Sequence, residues 1–168
     1  MEFQHVTVLL NEMINLIVTD PEGIYVDCTL GGGGHSLALI ERLSPDGLLI
    51  GVDQDEEAIE AAGERLKGAK CSVKLVHDNF SNINNILDNL GISKVNGFVF
   101  DLGVSSHQLD DGSRGFSYMN NGRLDMRMNQ DNPLTAYEVV NTYEQSQLKK
   151  TIWEYGEDVM QYVASLNK

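Results

Sequence analysis

Four aspartates in the first 101 residues each close a short apolar run: Asp27 after GIYV, Asp53 after LLIGV, Asp78 after CSVKLVH and Asp101 after NGFVF. If these runs are parallel strands, the four carboxylates share one edge of a sheet, where open α/β folds hold their ligands. Four consecutive glycines, Gly31 to Gly34, follow the first acid and lead into His35 and Ser36. Glycine gives up more conformational freedom on folding than any other residue, so such a run implies a tight turn or a ligand lying close to bare backbone. A glycine loop that ends a strand and opens a helix presents N–H groups and a helix N-terminus to that ligand.

The glycines alone leave the ligand open. A dinucleotide fingerprint needs glycine at its first, third and sixth positions, but counting from Gly31 the sixth is Ser36, and from Gly32 it is Leu37. A Walker loop is excluded, because no Lys-Ser or Lys-Thr follows. The acids discriminate better. Asp53 lies about 20 residues beyond the glycines, where a carboxylate accepts hydrogen bonds from ribose hydroxyls. Asp78, Asn79 and Phe80 suit hydrogen bonding to an adenine and stacking on it. An acid-lined edge suits a cofactor with an ammonium and a sulfonium better than one with a pyrophosphate, which favours S-adenosylmethionine over NAD. Each piece alone has a plainer reading. Asp46 and Asp55 read as turn and cap residues, and a lone Phe80 as a core aromatic. The meaning lies in their recurrence at consecutive strand ends.

The elements that must position these residues follow from the pattern. GIYVDCTL (23–30), LLIGVD (48–53), CSVKLVH (71–77) and NGFVFDLG (96–103) are short and largely apolar, as buried parallel strands should be. HSLALIERL, DEEAIEAAGERL and SNINNILDNLG lie between them with helical spacing, the last starting at Ser81 as N-cap and stopping at Gly91. A further short helix is expected over 8–18. The alternation predicts an α/β Rossmann-like parallel sheet covered on both faces. After Gly103 the period is lost, and HQLDDGSRGFSYMNNGRLDMRMNQDNP reads as a long loop of the kind that is functional or disordered. From Leu134 two or three short helices are expected. The predicted organisation is a methyl-donor-binding core over 1–106, a long loop over 107–133 and a helical segment over 134–168.

At 168 residues the chain is long enough for one substantial core. Cys28 and Cys71 are too far apart for a CxxC pair and read as reduced thiols in a cytoplasmic protein. The four histidines lack metal-ligand spacing, so no metal is expected. No basic stretch followed by an apolar one opens the chain, so no leader is read, and no run is long enough for a membrane span. The net charge of −13 makes the chain a poor non-specific binder of nucleic acid. Any RNA-facing role must rest on a local patch or on residues outside the chain.

HVTVLLNEM, VDCTLGGGGHS, GVDQDEEAI, DNFSN, DLGVSSHQLDDGSRGFSY, GRLDMRM, TAYEVVNTY and EYGE together resemble the ribosomal RNA small subunit methyltransferase H family, from about His5 to Glu157. The resemblance implies S-adenosylmethionine as cofactor, the small ribosomal subunit as partner and the N4 amine of a cytosine in the decoding region of 16S rRNA as substrate. It implies cofactor contacts at Gly33, Gly34, His35, Asp53, Phe80, Asp101 and Gln108. His107 stands where the family commonly has proline. Asp101 is the candidate catalytic base, or binds cofactor only. Phe116 and Tyr118 could hold a flipped base, with Arg114, Arg123 and Arg127 on RNA; alternatively Phe116 packs the loop and the arginines pair with Asp110, Asp111 and Asp125. Family chains are about twice this length, which implies a truncated chain. The rival reading is a non-catalytic donor-binding remnant or a subunit needing a partner chain, with a nicotinamide oxidoreductase a distant third. An open fourth strand would expose a sheet edge and favour self-association.

Overall fold

A computed structural model describes residues 9–156. The chain divides between Ser105 and Ser106 into two compact units. In the first, β1 (Ile24–Asp27), β2 (Leu48–Asp53), β3 (Ser72–His77) and β4 (Gly97–Val99) form one parallel sheet in the order β3-β2-β1-β4. Val26 pairs with Ile50 on one side and Phe98 on the other. The chain therefore winds outward from β1 to β3 and then returns to the far side of β1, placing a topological switch point between β1 and β4.

Alternate strand residues feed two cores. Tyr25, Leu49 and Val99 pack with Ile14 of α1 (Leu10–Ile17), with Leu39 and Ile40 of α2 (Gly34–Arg42), and with Ala62 of α3 (Glu56–Arg65). Val26, Cys28, Ile50 and Val52 pack on the opposite face with Ile86 of α4 (Ile83–Asn89). This is the α/β architecture expected from the sequence, with helices on both faces. Asp55 caps α3 by accepting from the Glu57 N–H at 3.2 Å, as its position predicts. Gly91, at φ +71°, ends α4. There the Gly91 and Ile92 N–H groups return to the Asp88 and Leu87 carbonyls, the paired bonds of a Schellman motif.

Four boundaries differ from the sequence reading. β1 stops at Asp27 instead of running to Leu30, because the chain there turns toward the glycine loop. The fourth strand stops at Val99 instead of running to Gly103, because its neighbour β1 ends at Asp27 and turns into the glycine loop. Beyond that point there is no backbone to pair with. Ser81 is not the cap of α4. A 3-10 turn, Phe80–Asn82, intervenes, and Asn79 caps it by accepting from the Ser81 N–H at 2.9 Å. The helix before β1 is α1, shorter at both ends than 8–18.

The second unit contains α5 (Ser106–Asp110), a 3-10 turn at Gly112–Arg114, α6 (Ala136–Thr142) and α7 (Gln145–Tyr155). The stretch read as a continuous loop thus opens with a helical turn, too short for periodicity to reveal. Thr135 with Glu138, and Glu144 with Gln147, close reciprocal capping boxes at the starts of α6 and α7. Glu157 and the tail expected to continue the helical segment lie outside the described residues.

The buried Tyr25 is a structural feature that periodicity does not announce. Its hydroxyl accepts from the Thr19 and Asp20 N–H groups at 3.2 and 3.0 Å and donates to the Asp20 carbonyl at 2.9 Å. The connection from α1 to β1 is thereby stapled to the sheet. Tyr25→Phe removes all three bonds and leaves the ring's packing. It is expected to cost about 1–3 kcal/mol in urea unfolding, and a midpoint equal to the wild type's would show that the staple contributes nothing.

Candidate functional site

At the carboxyl edge of the first unit, Gly31 and Gly33 adopt φ +49° and +76°, the left-handed region that favours glycine. A Cβ at Gly33 would also press on Ala62 Cβ at 3.2 Å, so the loop lies tightly against α3. The Gly33 N–H closes the turn on the Leu30 carbonyl at 2.8 Å, and α2 begins at Gly34. The N–H groups of its first turn have no carbonyl within the helix to receive them.

Each of the four acids has a distinct environment. Asp27 is wholly buried; its carboxylate accepts from Ser36 Oγ at 2.7 Å and from the Thr29 N–H at 3.2 Å. Burial pushes its carboxyl above the ordinary value of 3.8, against the lowering effect of those two bonds. Asp53 accepts from the Gly31 N–H at 2.8 Å through one oxygen and from the Asp55 N–H at 3.0 Å through the other. Burial raises it too. A carboxylate offers about four lone-pair sites, so both oxygens retain acceptor capacity. Asp78 bonds locally, one oxygen accepting from the Asn79 N–H and from Asn82 Nδ2 at 2.7 and 2.8 Å. Asp101 keeps a half-exposed side chain, with one carboxylate oxygen 3.9 Å from Nδ1 of the buried His35. Among the described residues, none of these four acids is ion-paired to a lysine or arginine.

Phe80 is half-buried, its ring edge-on to Phe100 at 5.6 Å, and Phe100 in turn stacks on Phe98 at 6.1 Å. Gly33, Gly34, His35, Asp53, Phe80 and Asp101 thus all lie on the carboxyl edge of one sheet. The donor set is rich in acceptors and bare N–H groups, and it fits a ligand with hydroxyls, an amine and a positive centre. Cys28 adds no nucleophile, since burial pushes its thiol up to about 12. Among the described residues no group of three or more His, Cys, Asp or Glu is arranged to hold a metal ion.

The remaining candidates belong to the second unit. Gln108 is buried in α5. Arg114 is buried, and its guanidinium donates to the Arg127 and Met128 carbonyls at 3.2 and 3.0 Å. Arg127 makes a two-pronged pair with Asp125 at 2.8 Å on each side and donates to the Gln130 and Asn132 carbonyls at 2.9 and 2.7 Å. That bond holds the Asp125 carboxyl below its ordinary value. The acid-pairing alternative describes Arg127, and the Arg114 charge helps lower the Asp111 and Asp125 carboxyls while its guanidinium also holds backbone. Phe116 is half-buried; Tyr118 and Arg123 are exposed. Sequence reasoning passed over Thr29 and Ser36, whose hydroxyls bond at the heart of the loop; their only sequence signal was their place beside the glycines.

The sequence profile of the MraW methylase family matches residues 2–165. The chain belongs to that family. Its members are S-adenosylmethionine-dependent methyltransferases. A ribosomal RNA small subunit methyltransferase H from Clostridium botulinum (strain Kyoto / Type A2) is 56% identical over 94% of this chain and 51% of its own length. The protein of that name from Clostridioides difficile (strain 630) is 54% identical over the same shares. The chain thus spans about half the length of the curated relatives it matches. A solved structure from Clostridium thermocellum, described as a candidate rRNA-methylase, superposes with a TM-score of 0.52 at 22% identity, covering 60% of this chain and 54% of that one. That likeness supports the Rossmann-like methyltransferase fold. No helix among the described residues is long and apolar enough to cross a membrane.

Two predictions follow from this geometry. An acid whose pKa is raised in the folded state adds stability that is full below the unfolded value and is lost as pH rises through the folded one. For Asp27 the window opens at the ordinary value of 3.8 and extends upward. Going from about pH 7 to about pH 4.5, the wild type should therefore gain stability relative to Asp27→Asn. Urea midpoints at both values check this; a gap that does not change with pH would contradict it. In the second unit, Arg127→Lys keeps the charge but loses the planar fork. Limited proteolysis should then cut the 123–132 segment faster than in the wild type, and equal rates would count against a structural role for that arginine.

Proposed function

We propose that this chain takes part in S-adenosylmethionine-dependent methylation of the N4 amine of a cytosine in the decoding region of 16S rRNA, in the cytoplasm. The observation that carries the proposal is the coincidence of a family match across the chain with an acid-lined, glycine-rich edge at the β1–β4 switch point. When bound, the donor supplies an electrophilic methyl group on a sulfonium.

The roles of the chain's own groups follow from their chemistry. The backbone at Gly33, Gly34 and His35 receives the polar end of the donor. Asp53 accepts from its ribose hydroxyls and Phe80 faces its adenine. The cytosine amine is a weak nucleophile because its lone pair is delocalised into the ring. Asp101 contacts the donor as well, holds that nitrogen by its N–H and takes the proton it sheds, and most of the acceleration comes from holding the reacting groups in line. Tyr118 and Arg123, exposed in the second unit, are the RNA contacts this reading favours. Arg114 and Arg127 are engaged within their own segment, Arg114 by two carbonyls and Arg127 by the Asp125 carboxylate and two carbonyls.

A second reading has this chain bind the donor but methylate only when a further segment or chain completes its sheet. It draws on β4, which among the described residues pairs with β1 alone, with Phe98 and Phe100 41% and 50% exposed. Self-association through that edge belongs to the same reading.

Isothermal titration with S-adenosylmethionine should show binding that Asp53→Ala weakens about tenfold or more. Tight NAD binding, or no donor binding, would overturn the proposal. Incubation with labelled donor and 30S subunits should label 16S rRNA at one cytosine N4. Donor binding without incorporation would move the conclusion to the second reading.

A further inference from the structure

Thr29 spans the crevice between β1 and β4. The backbone ladder between these strands ends where the Cys28 N–H reaches the Val99 carbonyl at 2.9 Å. One residue further, β1 has turned into the glycine loop and has no carbonyl to offer the next donor on the β4 side, the Asp101 N–H. The Thr29 hydroxyl oxygen takes that carbonyl's place, accepting from the Asp101 N–H at 2.7 Å. A side chain thus extends the ladder past the point where the backbones diverge.

The contact belongs to a closed circuit. The Thr29 N–H is held by Asp27 at 3.2 Å, Asp27 is held by Ser36 Oγ at 2.7 Å, and Ser36 follows His35, whose Nδ1 lies 3.9 Å from the Asp101 carboxylate. The backbone of Asp101 is pinned while its carboxylate remains half-exposed at the crevice mouth. A β-branched residue suits position 29, because threonine's restricted χ1 holds the hydroxyl to one direction.

We infer that Thr29 is a positioning residue for Asp101: its hydroxyl fixes the peptide that aims the Asp101 carboxylate across the switch point. This rests on the reading of that edge as the methyl-donor site. Thr29 acts through Asp101, from whose backbone N–H its hydroxyl accepts.

The test uses this chain and four variants: Thr29→Val, Thr29→Ser, Asp101→Asn and the Thr29→Val/Asp101→Asn double. S-adenosylmethionine affinity is read by titration, folding by thermal unfolding, and exchange of the Asp101 amide proton by NMR. Thr29→Val, nearly isosteric, should keep the wild-type melting temperature to within a few degrees and weaken donor binding about tenfold. Thr29→Ser, which keeps the hydroxyl, should stay within about threefold of wild type. The double variant should bind no more weakly than the weaker single one, since both changes act through one group. The Asp101 amide should be protected in wild type and Thr29→Ser, and lose protection in Thr29→Val.

Three results would overturn the inference: wild-type affinity in Thr29→Val, equal weakening by serine and valine, or additive losses in the double variant. Failure of the wild type to bind any donor would instead strike the reading of the site. The amide exchange would then decide the inference alone, and continued protection of Asp101 in Thr29→Val would end it.

Discussion

A carboxylate carried wholly into the interior is costly unless every oxygen has a partner, and the end of β1 is organised around that constraint. Asp27 follows two buried strand residues and is itself fully buried. Its oxygens are satisfied by the two groups the chain supplies next, the Thr29 N–H and the Ser36 hydroxyl. Meeting those demands brings residue 36 back over residue 27. The intervening stretch must then turn within a few residues, which is why left-handed glycines occupy it. The tight loop in turn ends the β1–β4 ladder at Val99 and opens the crevice where His35 faces Asp101, while Asp53 holds the same loop through the Gly31 N–H. Because burial raises Asp27, the same group gives the edge its dependence on proton concentration.

Much of this was legible in the sequence, and the reason is periodicity. Buried parallel strands have to be short, apolar and bounded by turn residues, so the four runs, their acids and the helices between them stood out. Asp55 as a cap and Gly91 as a terminator were equally local, since each satisfies its own neighbours. What escaped was set by partners distant in sequence. The length of β4 depends on where β1 turns, about 70 residues earlier in the chain. Asn79 displaced Ser81 as cap because its amide also reaches Gln54 on the β2 side, at 2.9 Å. Beyond its place beside the glycines, nothing in the sequence marks Thr29, because its bond to Asp101 crosses from one strand end to another.

The second unit illustrates the same limit with charge. Arginines beside aromatic residues in a glycine- and asparagine-rich stretch read as a nucleic-acid surface. Two of the three are consumed in holding that stretch together. Planar guanidinium forks satisfy several carbonyls at once, which an irregular segment needs because it lacks a ladder of its own. Arg127 reaches Asp125 and two carbonyls, and Arg114 reaches two more. Gly115, at φ +74°, lets the turn press against the Arg123 carbonyl and the Asp125 N–H. The arginine count therefore overstated the charge available to a partner, and Arg123 is the exposed one of the three.

This shortage bears on the acidity of the whole chain. The carboxylates that suit a cationic donor repel phosphate, and with a net charge of −13 little elsewhere compensates. Screening limits that repulsion to about 8–10 Å at physiological salt. For the proposed reaction the division follows directly. A nucleobase is neutral and can enter an acid-lined crevice once it leaves its stack, whereas its phosphates must stay about a screening length away or meet cations held apart from that edge. The edge would then select its donor by charge and its acceptor by shape and hydrogen bonding. An acidic chain can thereby serve an RNA reaction without a basic face at its centre.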